Sequence, residues 1–338
     1  MRSKKAGTQR RLAAARCLAF TLLFFLGTSG RALAVDGVVE INQAKASAGG
    51  VTVGDAAGLP VTISEPGSYR LTGNLTIPDI STEGIVITVE GVTLDLNGFA
   101  ISGPVTCSGS GSSVVCSPSG FRHGIDANGI SRVVVRNGTV RGFAGIGVFV
   151  GTHGWLEHLL VTSNKQYGIF AGDHSVINDV TATVNGAEGL YLGNLVKVTD
   201  SVVTQNLLRG LLCGDGCMIR ETTSKQNGLD GLYIGNYGTA SSNIAENNEG
   251  NGIRVGNSGV VSFNSSNLNG ASGGSQIVAG QGCLVTGNAV RNATGSAWGL
   301  SLHAATGYSN NVIFGPGNKE VLNGINLGHN QCTTIPCP

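Results

Sequence analysis

A glycine followed by an aliphatic or branched residue returns every 21 residues through the middle of the chain, at Gly168, Gly189, Gly210, Gly231 and Gly252. Similar starts stand at Gly124, Gly145, Gly299 and Gly324, and the 47 residues from Gly252 to Gly299 leave room for two longer units, the hidden one starting at Ile277. A unit of this length cannot bury its own apolar face, so it must stack on its neighbours and share one continuous core. Three units read GLYLGNLVKVTDSVVTQNLLR, GLLCGDGCMIRETTSKQNGLD and GLYIGNYGTASSNIAENNEGN. Each holds an alternating tripeptide, a Gly-Asn or Gly-Asp corner, a second β-rich stretch and a polar corner with an Asn. Alternation at period two is a strand with one face buried. Leu190 and Leu192, Leu211 and Cys213, Leu232 and Ile234, and Ile253 and Val255 are the inward pairs.

Composition agrees with this reading. The chain has 54 Gly in 338 residues and 12% charged residues. Glycine costs roughly 1 kcal/mol relative to Ala inside a helix, so a chain this rich in it is punctuated by turns between short strands. Asn164, Asn185, Asn206, Asn227, Asn248 and Asn269 are also 21 apart. Asn tolerates the left-handed conformation of tight corners, and a column of amides hydrogen-bonds from coil to coil, so this column is read as structural. Leucine-rich repeats place Asn after the Leu strand rather than before it, and a left-handed hexapeptide helix needs a multiple of six. The expected fold is therefore all-β, a right-handed parallel β-helix of about ten coils of 21–25 residues.

Residues 1–34 carry seven basic residues and no acid, then the apolar run Cys17 to Gly27 and Ala32-Leu33-Ala34. That pattern predicts a secretory signal peptide cleaved after Ala34, hence a secreted or periplasmic product. The apolar run is shorter than the roughly 20 residues that span a bilayer, and no later segment is long enough either. Beyond it the chain has 21 − 7 = 14 basic against 20 acidic residues, net −6, which points away from nucleic acid as a partner. The segments expected are a cap and first coil over 35–83, the β-helix over 84–328, and a disulfide-closed tail over 329–338. Val38 to Ala48 is read as a short helix capping the first coil, which would otherwise present a free edge. Pro104 to Ser119 is read as an insertion projecting from the side. Local spacing suggests the pairs Cys107 with Cys116, Cys213 with Cys217 and Cys332 with Cys337, a connectivity that sequence alone does not fix, with Cys283 left over and read as a buried thiol.

Within residues 67–328 the chain resembles the right-handed β-helix superfamily of pectate lyases, polygalacturonases and mannuronan epimerases. GSYRLTGNLTIP (67–78) and VTLDLNGFAISG (92–103) look like the opening coils of a group of secreted bacterial β-helix proteins. The resemblance implies action on an extended flank, with clustered carboxylates for Ca2+ and a basic residue for proton abstraction in a lyase. No N-T-D, Asp-Asp, R-x-K or D-P-H-D run occurs in that region, so no catalytic set is carried over.

Three columns of 21-residue period are candidate sites. Phe149, Phe170, Tyr191, Leu212, Tyr233 and Arg254 occupy the middle of the alternating tripeptides and should point outward. Over five steps of roughly 4.8 Å they make a stripe about 25 Å long. Aromatic faces suit sugar rings, and the alternative is lateral stacking that only steadies the sheet. His158, Asp179, Asp200 and Glu221 form an acidic column, with Lys197 and Arg220 nearby. It is either a lyase-like constellation or a solvated corner. His153 and His174 share a third column as weak metal candidates, or as plain turn histidines. The Gly-Asp and Gly-Asn corners from Asp173 to Asn257 read as turn chemistry. The leading expectation is a secreted β-helix binding an extended ligand, a polysaccharide or cell-surface glycan. A lyase, hydrolase or epimerase centred on Asp179, Asp200 and Glu221 is the alternative, and a structural or adhesive protein the next.

Overall fold

A computed structural model describes residues 37–292, 298–315, 319–333 and 337; the expected signal peptide lies outside them. The chain is an all-β parallel β-solenoid of the right-handed type, with about 13 turns. Twelve of the coils each give one short strand to a parallel sheet running from Val61–Ile63 to Val321–Leu322, here called the first wall. All but two of the remaining strands form a 22-stranded sheet. Counting starts from Gly124 gives only ten coils because two more precede it: Val61–Ile63, which follows a proline, and Ile85–Ile87, which follows Gly84. The coil expected at Ile277 does begin there, behind Gln276, and the last begins at Val321 behind Glu320. Gly324 is a turn residue with φ of 96°, not a coil start, and Gly147 rather than Gly145 precedes the strand Val148–Val150.

The coil cross-section is set by three corners, each turned by one residue in the left-handed region. In one coil the strand Leu190–Leu192 is followed by Leu195 (φ 56°), Lys197–Thr199, Asp200 (φ 52°), Val202–Thr204 and Gln205 (φ 57°). A single left-handed residue redirects an extended chain without a loop. In the earlier coils the second-sheet strand runs through its corner, as in Trp155–Thr162 bent at His158. The inward pairs named above are all at most 2% exposed. Fully burying an aliphatic side chain contributes about 1.5–3 kcal/mol, and the cluster runs unbroken from Ile41 to Val321.

The Asn column is not where the backbone turns left-handed. That conformation falls on the residue before each Asn: Ser163, Val184, Gln205, Gln226, Asn247 and Leu268. The Asn side chain instead points inward and links coils. Asn206 Oδ1 accepts from the backbone N–H (3.0 Å) and Nδ2 (3.0 Å) of Asn185, while Asn206 Nδ2 donates to Asn227 Oδ1 (3.0 Å) and the Ala182 carbonyl (3.1 Å). The ladder ends at Asn269, whose backbone and side-chain N–H groups donate to Oε1 of Gln276. The glycine period follows from it. A Cβ on Gly189 would lie 2.6 Å from Asn206 Nδ2 and 2.7 Å from the Gly210 carbonyl oxygen, closer than real Cβ atoms come. Those glycines are required by close approach, since their φ angles are ordinary.

At the N-terminus the expected cap is part strand and part helix. Val39–Ile41 pairs with Gly67–Leu71, and Asn42 caps the helix Gln43–Ala48 by accepting from the Lys45 N–H. The disulfides Cys107–Cys116, Cys213–Cys217 and Cys332–Cys337 form, and Cys283 is a buried free thiol.

Candidate functional site

The tripeptide strands of the first wall stack in exact rung-to-rung register, pairing Phe149 with Phe170, Phe170 with Tyr191, Tyr191 with Leu212, Leu212 with Tyr233 and Tyr233 with Arg254. Their neighbours at either side are buried, so the middle residues face out. All are half-buried except Arg254, which is exposed. The rings touch. Phe149 and Phe170 centroids are 4.7 Å apart, and Phe170 and Tyr191 are stacked at 5.2 Å with 12° between their planes. His123 meets Phe149 edge-on at 5.5 Å. Beyond Leu212, the Tyr233 ring lies 5.2 Å from the guanidinium carbon of Arg209 and 5.2 Å from that of Arg254, within cation–π range of both.

A second column, three residues earlier in each coil, edges this stripe: Tyr167, Glu188, Arg209 and Asp230. Tyr167 lies 4.9 Å from Tyr191 and 6.3 Å from Phe170, which widens the aromatic floor. The Glu188 side chain is only 5% exposed and accepts from Arg209 Nη1 at 3.1 Å. The Nε of Arg209 is buried with no hydrogen-bond partner among the described residues. Asp230 Oδ1 accepts from the backbone N–H and Nδ2 of Asn251 at 2.7 and 2.8 Å. Sequence reasoning missed this column although it keeps the 21-residue spacing, because its members differ in chemistry from coil to coil.

Two titrations are shifted here. Burial pushes the Tyr167 hydroxyl up, with help from the Glu188 and Tyr191 charges. Tyr167 is therefore a neutral donor and contact surface near pH 7, not a base. Burial lowers the His123 imidazole, against the opposing pull of Asp126 and Glu83 and with the aid of Arg122. Its Nδ1 accepts the Ile146 N–H at 2.9 Å, the arrangement of a neutral ring.

The acidic column lies at the corner inside the second sheet. Asp179, Asp200 and Glu221 supply the left-handed residue of successive coils, with φ of 49°, 52° and 52°, as His158 does before them. His158 Nε2 and Asp179 Oδ2 are 3.6 Å apart, both groups more than half exposed. Lys197, Asp200, Arg220 and Glu221 are exposed, and none lies within ion-pair distance of an opposite charge among the described residues. The structure brings these groups onto one exposed side of the coil without converging them. His153 and His174 are the left-handed residues of another corner, and their rings stack at 5.0 Å. Among the described residues no three His, Cys, Asp or Glu side chains gather as metal ligands. The neighbouring Asp173 and Asn194 knit that corner, Asp173 Oδ1 accepting from the Asn194 N–H at 2.7 Å and Asn194 Oδ1 from the Asp215 N–H at 2.9 Å.

The insertion does not project. Thr106–Ser108 and Val115–Ser117 form an antiparallel hairpin closed by Cys107–Cys116, and it lies back along the Asn corner. Lys165 Nζ donates to the Ser119 hydroxyl (2.6 Å) and the Cys116 carbonyl (3.3 Å), and Ser112 donates to Glu249 Oε1 from its hydroxyl (2.8 Å) and its N–H (3.0 Å). Lys165 and Glu249 are four coils apart. The hairpin thus runs beside the aromatic stripe, anchored five residues before Phe170 and Arg254, and leaves the stripe open. A cleft of about 340 Å³ at its root, lined by Ser102, Thr106, Arg141 and Ser163 among others, lies on the far side of the Asn corner.

No family model and no curated protein matches the chain. Solved structures do. The A-module of the Azotobacter vinelandii mannuronan C-5 epimerase AlgE6 is similar with a TM-score of 0.54 at 15% identity, over 88% of this chain and 89% of that one. The receptor-binding protein of bacteriophage Det7, a podoviral tailspike, has a TM-score of 0.53 at 12% identity, covering 94% and 78%. The periplasmic alginate epimerase AlgG has a TM-score of 0.50 at 13% identity, covering 90% and 73%. At these identities the likeness establishes the parallel β-helix fold.

Proposed function

We propose that the protein is exported and binds an extended polysaccharide along the first wall. The observation that carries this is the run of touching, half-buried rings from Phe149 to Tyr191, continued through Leu212 to Tyr233 in register with coils that rise roughly 4.8 Å each. A half-exposed aromatic surface at that repeat offers apolar contact to the C–H groups of successive pyranose rings, and a contiguous exposed apolar patch is a binding surface by default. The mannuronan and alginate epimerases among the structural neighbours support a carbohydrate partner. Three disulfides and the basic, then apolar N-terminus support an oxidising compartment outside the cytoplasm.

The test is affinity electrophoresis or calorimetry on a glycan panel with wild type, Tyr191→Ala and Tyr233→Ala. Each ring removed should weaken binding about tenfold, equivalent to about 1.4 kcal/mol, with an unchanged circular dichroism spectrum. Undiminished binding in both variants would remove the stripe from the function.

A further inference from the structure

The stripe is electrically asymmetric. Its column continues before Phe149 with Asp126, which pairs directly with it. The next rungs, Phe149, Phe170, Tyr191 and Leu212, carry no charge, and the acid that edges them, Glu188, is already neutralised by Arg209. The far end carries one unpaired cation. Arg254 is exposed and has no carboxylate within ion-pair distance among the described residues, whereas Arg209 is taken up by Glu188, and the buried Asp230 beside Tyr233 accepts from Asn251. The two guanidinium groups flank one ring, Tyr233.

These charges sort ligands. The uncharged rungs Phe149, Phe170 and Leu212 offer a carboxylate no partner for the water it loses, and Asp126 repels it at that end. A guanidinium, by contrast, presents a planar fork that matches an oxyanion. The acidic balance of the chain beyond residue 34, net −6, adds a general penalty for a densely anionic polymer. Resting on the polysaccharide reading above, we infer that the stripe selects a mixed glycan, neutral rings with a sparse anionic substituent. It binds that glycan in one direction, with neutral rings over Phe149 to Tyr191 and the acid group at Arg254. A homopolymer of uronate, with a carboxylate on every ring, is a poor ligand.

Calorimetry at low and high salt with four oligosaccharides of equal length tests this: a neutral glucan, the same glucan with one glucuronate, the same with one sulfate, and an oligogalacturonate. The singly charged ligands should bind wild type about tenfold more tightly than the neutral one, with that advantage shrinking in salt. Comparing the two singly charged ligands tells carboxylate from sulfate. Arg254→Met, at an exposed site whose melting temperature reports folding, should erase the difference between charged and neutral ligands. Asp126→Asn should improve oligogalacturonate. Tightest binding of oligogalacturonate to wild type overturns the inference, as does equal binding of neutral and singly charged glucans with no effect of Arg254→Met. Tyr191→Ala separates the two ideas. If it weakens binding while the charge preferences fail, only the charge inference falls; if it changes nothing, or if no glycan binds, the polysaccharide reading falls and the inference with it.

Discussion

The aromatic flank and the acidic corner are both columns of 21-residue period with side chains in solvent, and they differ in what the backbone asks of them. At Tyr191 the backbone is a plain strand, paired on both sides, and any residue of moderate size would satisfy it. At Asp200 the chain must adopt φ of 52°, a conformation that Asp and Asn tolerate better than most residues. The corner column is thus explained by the turn before any chemistry is invoked, and the rings of the flank are not explained by the strand. The lesson is that a conserved spacing marks equivalent positions in a solenoid, and that backbone conformation then separates turn-makers from residues free to serve a ligand.

The largest expected effect comes from the corners' interior side. Asn206→Ala strips two acceptor contacts and two donor contacts from a fully buried site. It should lower stability by about 3 kcal/mol, because buried groups on Asn185 and Ala182 lose their partners. Urea unfolding measures it, and a loss below 1 kcal/mol would mean that the ladder is not what holds successive coils together. Next in size, Arg209→Met leaves Glu188 buried without its cation and should cost about 1–3 kcal/mol. Glu188→Gln in the same background should recover much of that. Failure of the rescue would show that Arg209 acts through its contact with Tyr233 rather than through Glu188, which sharpens the flank's side of the comparison.

Repeats are the most legible feature a sequence can carry, and the inward pairs, the ring column and the local disulfides could be placed from spacing alone. What spacing hid was physical. The glycine and Asn periods were read as two turn signals, yet one exists for the other: Gly189 is small because the Asn206 amide lies where its Cβ would be. A second ladder, the buried Asn243, Asn264, Asn288 and Asn311 ending at the half-buried Asn330, was illegible because its intervals drift from 21 to 24, 23 and 19 as the coils lengthen and shorten. In the earlier coils the same place is held by Val180, Ser201 and Thr222, so no residue type persists along the column. The path of the Pro104 to Ser119 insertion depended on Ser112 finding Glu249, 137 residues away, a pairing for which local pattern holds no signal. Charged members of the site, Glu188 and Arg209, were likewise invisible because each is unlike its column neighbours.

The smallest expected effect is the one that most directly divides the two columns. Asp200→Gly removes the charge and relieves the left-handed strain, while adding freedom to the unfolded chain, so stability should change by about 0.5 kcal/mol or less. Asp200→Ala keeps the strain without the polar side chain and should cost about 1 kcal/mol. Neither substitution reaches the first wall, so glycan affinity should stay at the wild-type value in both, as it should in the charge-only change Asp200→Asn. Measured side by side, a melting temperature that orders Gly above Ala with unaltered binding assigns Asp200 to the turn. A folded Asp200→Asn protein that has lost its glycan, or a turnover that disappears with Asp179→Asn and Asp200→Asn together, would reverse the comparison and move the functional surface from the rings to the corner.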